Sequence, residues 1–176
     1  MAKNDRRSEL MMRRIRLKHP IFHLLKINAF KYLFENGQLL KARPGQHLYR
    51  EYQPAKAHLY FVLYGQLEFK NSNVGKFGEV LGLGWTVGEE ILYGDDNETE
   101  ILRLENCESI NHSCLLQVQV EDLICMATQK HVMAGGGNLE QDYKILLSFL
   151  EKNFEVKSAW RKDKGLLIKE AGNEDD

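Results

Sequence analysis

Apolar residues along this chain change their spacing twice. Phe22, Leu25, Ala29, Phe30 and Leu33 recur at i, i+3, i+7, i+8 and i+11, the stripe of an amphipathic helix that begins near Ile21. A basic helix over residues 6–18 precedes it, with Met11 and Ile15 one turn apart and Pro20 between the two. Asn36-Gly37 predicts the stop, because both residues tolerate a left-handed cap. The period then shortens to two. Leu59, Phe61 and Leu63 share one parity, Gly65 breaks the run, and Leu67 and Phe69 resume it. His47 to Arg50, Ile101 to Ile110 and Cys114 to Val120 are further strand candidates. Arg43-Pro44-Gly45-Gln46, Asn71 to Gly75 and Gly94 to Asn97 carry turn chemistry. Helical spacing returns after Glu121-Asp122, is divided by Gly135-Gly136-Gly137-Asn138, and resumes in the stripe Leu139, Tyr143, Leu146, Leu147, Leu150. The expected organisation is an N-terminal helical segment (1–36), a β-roll (37–120), C-terminal helices (121–171) and an acidic tail (172–176). The fold class is mainly β with flanking helices.

A length of 176 residues leaves room for one core. The formal net charge of −1 hides a local asymmetry. Residues 1–18 carry seven basic and two acidic side chains, whereas residues 79–108 carry nine acidic ones and a single base, Arg103. The whole-protein field therefore does not recruit nucleic acid. No apolar run approaches the roughly 20 residues of a membrane-spanning helix. Cys107, Cys114 and Cys125 form no C-x-x-C motif, and with His112 they match no standard zinc spacing, so a reducing, cytoplasmic setting and no metal are expected. Gly82-x-Gly84-x-x-x-Gly88 misses the dinucleotide fingerprint by one residue and lies among strands. No phosphate-loop or nucleophile-elbow motif is present, and His47 and His58 fall on separate strands with no H-x-H metal motif. A non-enzymatic protein is expected.

The segment Leu83-Gly84-Trp85-Thr86-Val87-Gly88-Glu89-Glu90-Ile91-Leu92 carries the candidate chemistry. A glycine bend running into a short apolar turn points free backbone N–H groups outward, which suits an anion. Gly88 permits close backbone approach, and Glu89 is an acceptor for sugar hydroxyls. An anion also wants a cation, and Arg103 is the base nearby in sequence; its fork suits a phosphate.

These residues resemble the cyclic nucleotide-binding domain family. "GQLLKARPGQHLYREYQPAKAHLYFVLYGQLEF" is similar to the family's opening strands, "LGLGWTVGEEIL" to the entry of its phosphate-binding cassette, and "RLENCESINHSCLLQV" to the run from the cassette arginine to the closing strand. The resemblance implies an eight-stranded, jelly-roll-like β-roll with N- and C-terminal α-helices and a cassette over residues 83–104. It implies a binding set of Gly88, Glu89, Glu90, Ile91, Arg103 and Leu104. Glu89 would take the ribose hydroxyl, the backbone N–H groups of Glu90 and Ile91 the phosphate, and Arg103 its charge. Tyr143, Phe149 or Trp160 of a C-terminal helix would cap the base.

The implied function is that of a regulatory sensor binding cAMP, cGMP or a related nucleotide-like ligand. The alternative is a degenerate scaffold that binds no nucleotide and mediates protein–protein interaction. The sequence departs from the family pattern in a longer Glu89–Arg103 gap, with an insertion at Gly94 to Glu100. It departs again at Glu105, two residues from Arg103 and so on the same strand face. An ion pair of Arg103 with Glu105 or an insertion acid is the competing expectation. A protein partner is expected, and the basic helix from Arg6 to Lys18 would dock an acidic partner, RNA or a membrane surface. DNA is not expected, since the chain after Val132 is too short for a DNA-reading helix-turn-helix.

Overall fold

The computed structural model describes residues 2–93, 101–128 and 139–166. The expectations for the 94–100 insertion, the 135–138 glycine break and the acidic tail lie outside these residues. Eight strands, β1 (Gln38–Ala42), β2 (His47–Tyr49), β3 (His58–Tyr64), β4 (Leu67–Asn71), β5 (Gly75–Leu81), β6 (Thr86–Val87), β7 (Asn106–Ser109) and β8 (Ser113–Gln119), form two antiparallel sheets. Their orders are β1-β8-β3-β6 and β2-β7-β4-β5. Five helices flank them: α1 (Ala2–Lys18), α2 (Ile27–Asn36), α3 (Glu90–Tyr93), α4 (Val120–Thr128) and α5 (Glu140–Asp163). The mainly β roll with flanking helices is the expected fold class.

The period-two alternation of β3 explains how one strand serves two cores. Leu59 and Phe61 face the helices and pack with Phe22, Phe30, Leu33, Leu123, Leu146 and Leu150. Tyr60 and Val62 point the other way, into the roll, with Leu67, Phe69, Phe77, Val87, Cys107 and Leu115. The helices cover one face of β3 and the roll interior the other, so its apolar run is nearly continuous.

The N-terminal apolar stripe is longer than the helix that carries it. Ile21, Phe22 and Leu25 are buried as expected, yet they form a turn, and α2 starts only at Ile27. Two hydrogen bonds divert the backbone: the Ile21 N–H donates to His19 Nδ1 at 3.3 Å and the Lys26 N–H to Asp142 Oδ1 at 2.8 Å. Each gives an N–H a partner other than a helical carbonyl. On α1, Met12 rather than Met11 joins Ile15 against the core, and Met11 is exposed.

His19 is fully buried and stacked on Phe22, with ring centroids 4.3 Å apart. Burial, followed by the neighbouring His23, lowers its pKa to about 4. Between that value and the unfolded value near 6.5, the unfolded chain binds a proton that the folded chain refuses. Stability therefore falls as pH drops through this window, by up to about 3 kcal/mol. The expected result is a thermal midpoint that declines from pH 6.5 to pH 4. The slope flattens in His19→Asn, which offers the Ile21 N–H an acceptor and does not titrate. An equal slope in that variant would assign the decline to carboxylates instead.

Candidate ligand pocket and its buried charge network

β6 runs through Gly88 into α3. Gly88 has φ of +100°, and a Cβ there would lie 2.6 Å from the His58 carbonyl oxygen of β3, so a side chain would push the turn off the sheet. The turn is closed by Leu92 N–H to Glu89 O at 2.8 Å and Ile91 N–H to Gly88 O at 3.3 Å. The Ile91 N–H, expected to meet a phosphate, thus already has an acceptor in the chain. Across the roll, residues 101–103 run antiparallel to residues 52–55. Arg103 N–H donates to Gln53 O at 2.9 Å and Tyr52 N–H to Arg103 O at 2.8 Å. The half-buried Leu104 offers its carbonyl to Asn71 Nδ2 at 2.8 Å.

The acidic side chains of this region are inside the protein. Glu89 is 1% exposed, Glu90 6% and Glu105 0%. An unpaired buried carboxylate is very costly, and each of these three has a cation. Lys157 Nζ lies 2.6 Å and 2.5 Å from the two Glu89 oxygens and donates also to the Thr86 carbonyl at 2.6 Å. The three N–H bonds of an ammonium therefore have three acceptors. Glu89 also accepts from the Thr86 hydroxyl. Arg103 pairs with Glu90 and stacks over the Tyr49 ring, 4.2 Å from its centroid. Arg161 holds Glu105 with two bonds, Nε to Oε2 at 3.0 Å and Nη2 to Oε1 at 2.6 Å, and lies 4.0 Å from Glu90.

The Arg103–Glu105 pair expected from strand parity does not form. Both residues are buried, but Glu90 takes Arg103 and α5 supplies the partner for Glu105. Burial alone would raise the Glu90 carboxyl; Arg103, then Arg161, outweigh it and hold it below the usual carboxylate range. Burial would likewise lower Arg161, but Glu105 raises it above the ordinary guanidinium value. Burial raises the Cys107 thiol well above its ordinary value, and Glu105 adds to the effect, which favours the protonated thiol over the thiolate. Among the described residues, three carboxylates and three cations thus make a neutral cluster in the roll.

Two of those cations come from α5, which sequence reasoning missed. The signal was present. Leu146, Leu150, Asn153, Lys157 and Arg161 continue a single helical stripe at i, i+4, i+7, i+11 and i+15, and all five are buried. The stripe changes from apolar to polar where α5 leaves the helical core and crosses the roll. Asn153 Oδ1 accepts the Thr86 N–H at 3.3 Å, and Tyr93 at the end of α3 stacks on Phe154 at 5.0 Å. Trp160 packs against Trp85, with centroids 5.2 Å apart, over Gly78, where any Cβ would overlap its indole. Of the three aromatic candidates for a base cap, Trp160 lies on the roll; Tyr143 and Phe149 pack with the helical core.

The groups expected to receive a nucleotide are therefore engaged by the protein itself. Glu89 is bound by Lys157 and Thr86, Arg103 by Glu90, and α5 covers the cassette. Among the described residues, no group of three or more His, Cys, Asp or Glu is placed to hold a metal ion, and no helix is long and apolar enough to cross a membrane.

No family model and no curated protein matches the sequence. Solved structures do resemble the fold. One is the regulatory subunit of a cAMP-independent protein kinase A from Trypanosoma brucei (TM-score 0.61, 16% identity, 87% of this chain and 50% of that one). Another is the c-di-GMP-responsive global regulator CLP of Xanthomonas campestris (TM-score 0.60, 15% identity, 80% of this chain and 63% of that one). A third is the sensor domain of the transcriptional regulator DNR from Pseudomonas aeruginosa (TM-score 0.58, 13% identity, 94% of this chain and 99% of that one). The chain thus spans less than two thirds of the first two. At these identities the likeness is one of fold: the β-roll of cyclic nucleotide-binding domains.

Proposed function

We propose that this domain is a non-enzymatic regulatory scaffold of the cyclic nucleotide-binding fold, in which α5 occupies the nucleotide pocket and the output is contact with another protein. The observation that carries this reading is Lys157, 1% exposed and bound to both oxygens of Glu89. The magnitudes favour it over a nucleotide receptor. A micromolar ligand brings about −8 kcal/mol. Leaving a buried carboxylate without its cation costs about 3–5 kcal/mol, a large share of that gain, and a nucleotide reaching Glu89 has to displace Lys157 first. The tethered cations also compete at the high effective concentration of an intramolecular partner.

Calorimetric titration of the full chain with cAMP and cGMP tests this. The expected result at millimolar nucleotide is no heat and no shift of the thermal midpoint. Saturable heat that disappears in Arg103→Gln would overturn the scaffold reading and establish a receptor for a nucleotide related to cAMP or cGMP.

A further inference from the structure

A second surface of the molecule lies away from the charge network. Between the C-terminal half of α1 and the turns that follow β3 and β5 is a half-open cleft of about 340 Å³, whose lining includes Ile15, Tyr64, Leu83, Arg14, Lys18 and His19. Its rim is apolar and uncovered: Tyr64 is 69% exposed and Leu83 48%. The adjoining face of α1 extends it, because Leu10, Arg14, Leu17 and Lys18 lie at i, i+4, i+7 and i+8, and Leu10 and Leu17 are both more than half exposed. Among the described residues, Met12 and Ile15 pack α1 on the core and Arg16 bonds the Leu25 carbonyl, so the exposed Leu10 and Leu17 beside the cleft take no part in seating the helix.

Two kinds of polar group at the cleft lack partners. Arg14 and Lys18 make no hydrogen bond or ion pair among the described residues, in a stretch (7–18) with five basic side chains and one acid. His19 is fully buried. Its Nδ1 accepts the Ile21 N–H, which leaves the proton on Nε2, and Nε2 has no acceptor. Such an unsatisfied buried donor is uncommon in native proteins.

We infer that this cleft is a docking site for an acidic amphipathic helical segment of a partner protein. The inference rests on the scaffold reading above. An apolar side chain of that segment fills the cleft against Ile15 and Leu83, and its carboxylates meet Arg14 and Lys18. This is helix-in-groove recognition, in which apolar anchors give affinity and charges give orientation. RNA fits the cations, but the apolar side chains here are mainly aliphatic (Leu10, Ile15, Leu17, Leu83), with Tyr64 as the one aromatic of the lining on which a base could stack, and a lipid surface is flat where this site is concave.

The test uses the full chain and a series of labelled helical peptides with a constant Phe/Leu stripe and an increasing number of flanking glutamates, read by fluorescence anisotropy and by amide chemical shifts. Affinity is expected to rise with glutamate number, shifts to centre on Arg14, Lys18, Tyr64 and Leu83, and the double variant Arg14→Glu/Lys18→Glu to weaken binding by about tenfold or more. These side chains are exposed, so an unchanged thermal midpoint confirms that the variants fold. Leu83→Asp, at the apolar rim, is expected to weaken binding as well. No binding by any peptide at millimolar concentration would overturn the inference. So would binding indifferent to both variants, or tighter binding of anionic vesicles or polyuridylate through the same residues. Peptide failure together with silent cAMP and cGMP titrations removes the cleft but leaves the sealed pocket. Nucleotide binding with peptide binding intact removes the sealed pocket but leaves the cleft.

Discussion

Replacing Lys157 with methionine is expected to lower the thermal midpoint by about 6–20 °C. The side chain is 1% exposed, so methionine keeps most of the packing but removes the charge. Glu89, equally buried, is left with the Thr86 hydroxyl as its partner, and the Thr86 carbonyl loses its donor. Removing one member of a buried pair costs about 3–5 kcal/mol, and each kcal/mol moves the midpoint of a protein this size by about 2–4 °C. The double variant Lys157→Met/Glu89→Gln is expected to recover most of the loss. It removes both charges, and glutamine still offers Thr86 an acceptor. Differential scanning calorimetry of the wild type, both single variants and the double variant closes the cycle. An unchanged midpoint in Lys157→Met would mean that α5 is not seated on the pocket in solution.

Arg161→Ala is expected to cost a similar amount, about 3–5 kcal/mol, for a related reason. Glu105 is 0% exposed and depends on the two-bond fork of Arg161. Lysine cannot reproduce that fork, so Arg161→Lys should fall between wild type and alanine. The loss carries a spectroscopic signature, because Trp160 precedes Arg161 on α5 and packs on Trp85. Undocking the end of the helix exposes both indoles and shifts tryptophan emission to the red. Urea unfolding followed by emission reads stability and docking together. A variant with wild-type emission and midpoint would contradict the network.

The two variants separate the sealed pocket from a receptor in a further way. In a receptor, the residues of the pocket are spared by folding and needed by the ligand. In the proposed scaffold the same positions are needed by folding, so their loss is expected to appear in stability with no nucleotide present. The acids of residues 79–108 are not all at the surface: Glu89, Glu90 and Glu105 are inside with cations of their own.

Much of the fold was legible because strands and helices announce themselves over a few residues. The alternation of Leu59, Phe61 and Leu63 fixed one face of β3, and the stripe from Leu139 to Leu150 located α5. The helix expected from Ile21 was partly illegible. The diversion before α2 depends on Asp142, more than a hundred residues away, and no local pattern registers that bond. Gly88, Glu89 and Arg103 stood out by residue type, and Glu105 by parity. The identity of each charge partner did not.

By itself, then, the sequence determined the roll, its flanking helices and most of the apolar side chains that face inward, since backbone periodicity and apolar burial are local and repeat along the chain. Only the tertiary structure decided that Arg103 meets Glu90 rather than Glu105, and that Lys157 pairs with Glu89 and Arg161 with Glu105. A lysine and an arginine four residues apart on a helix ordinarily keep their charged ends in water. They are buried here because α5, anchored by Leu146 and Leu150 in one core, continues across the mouth of the other, where carboxylates without water need a cation.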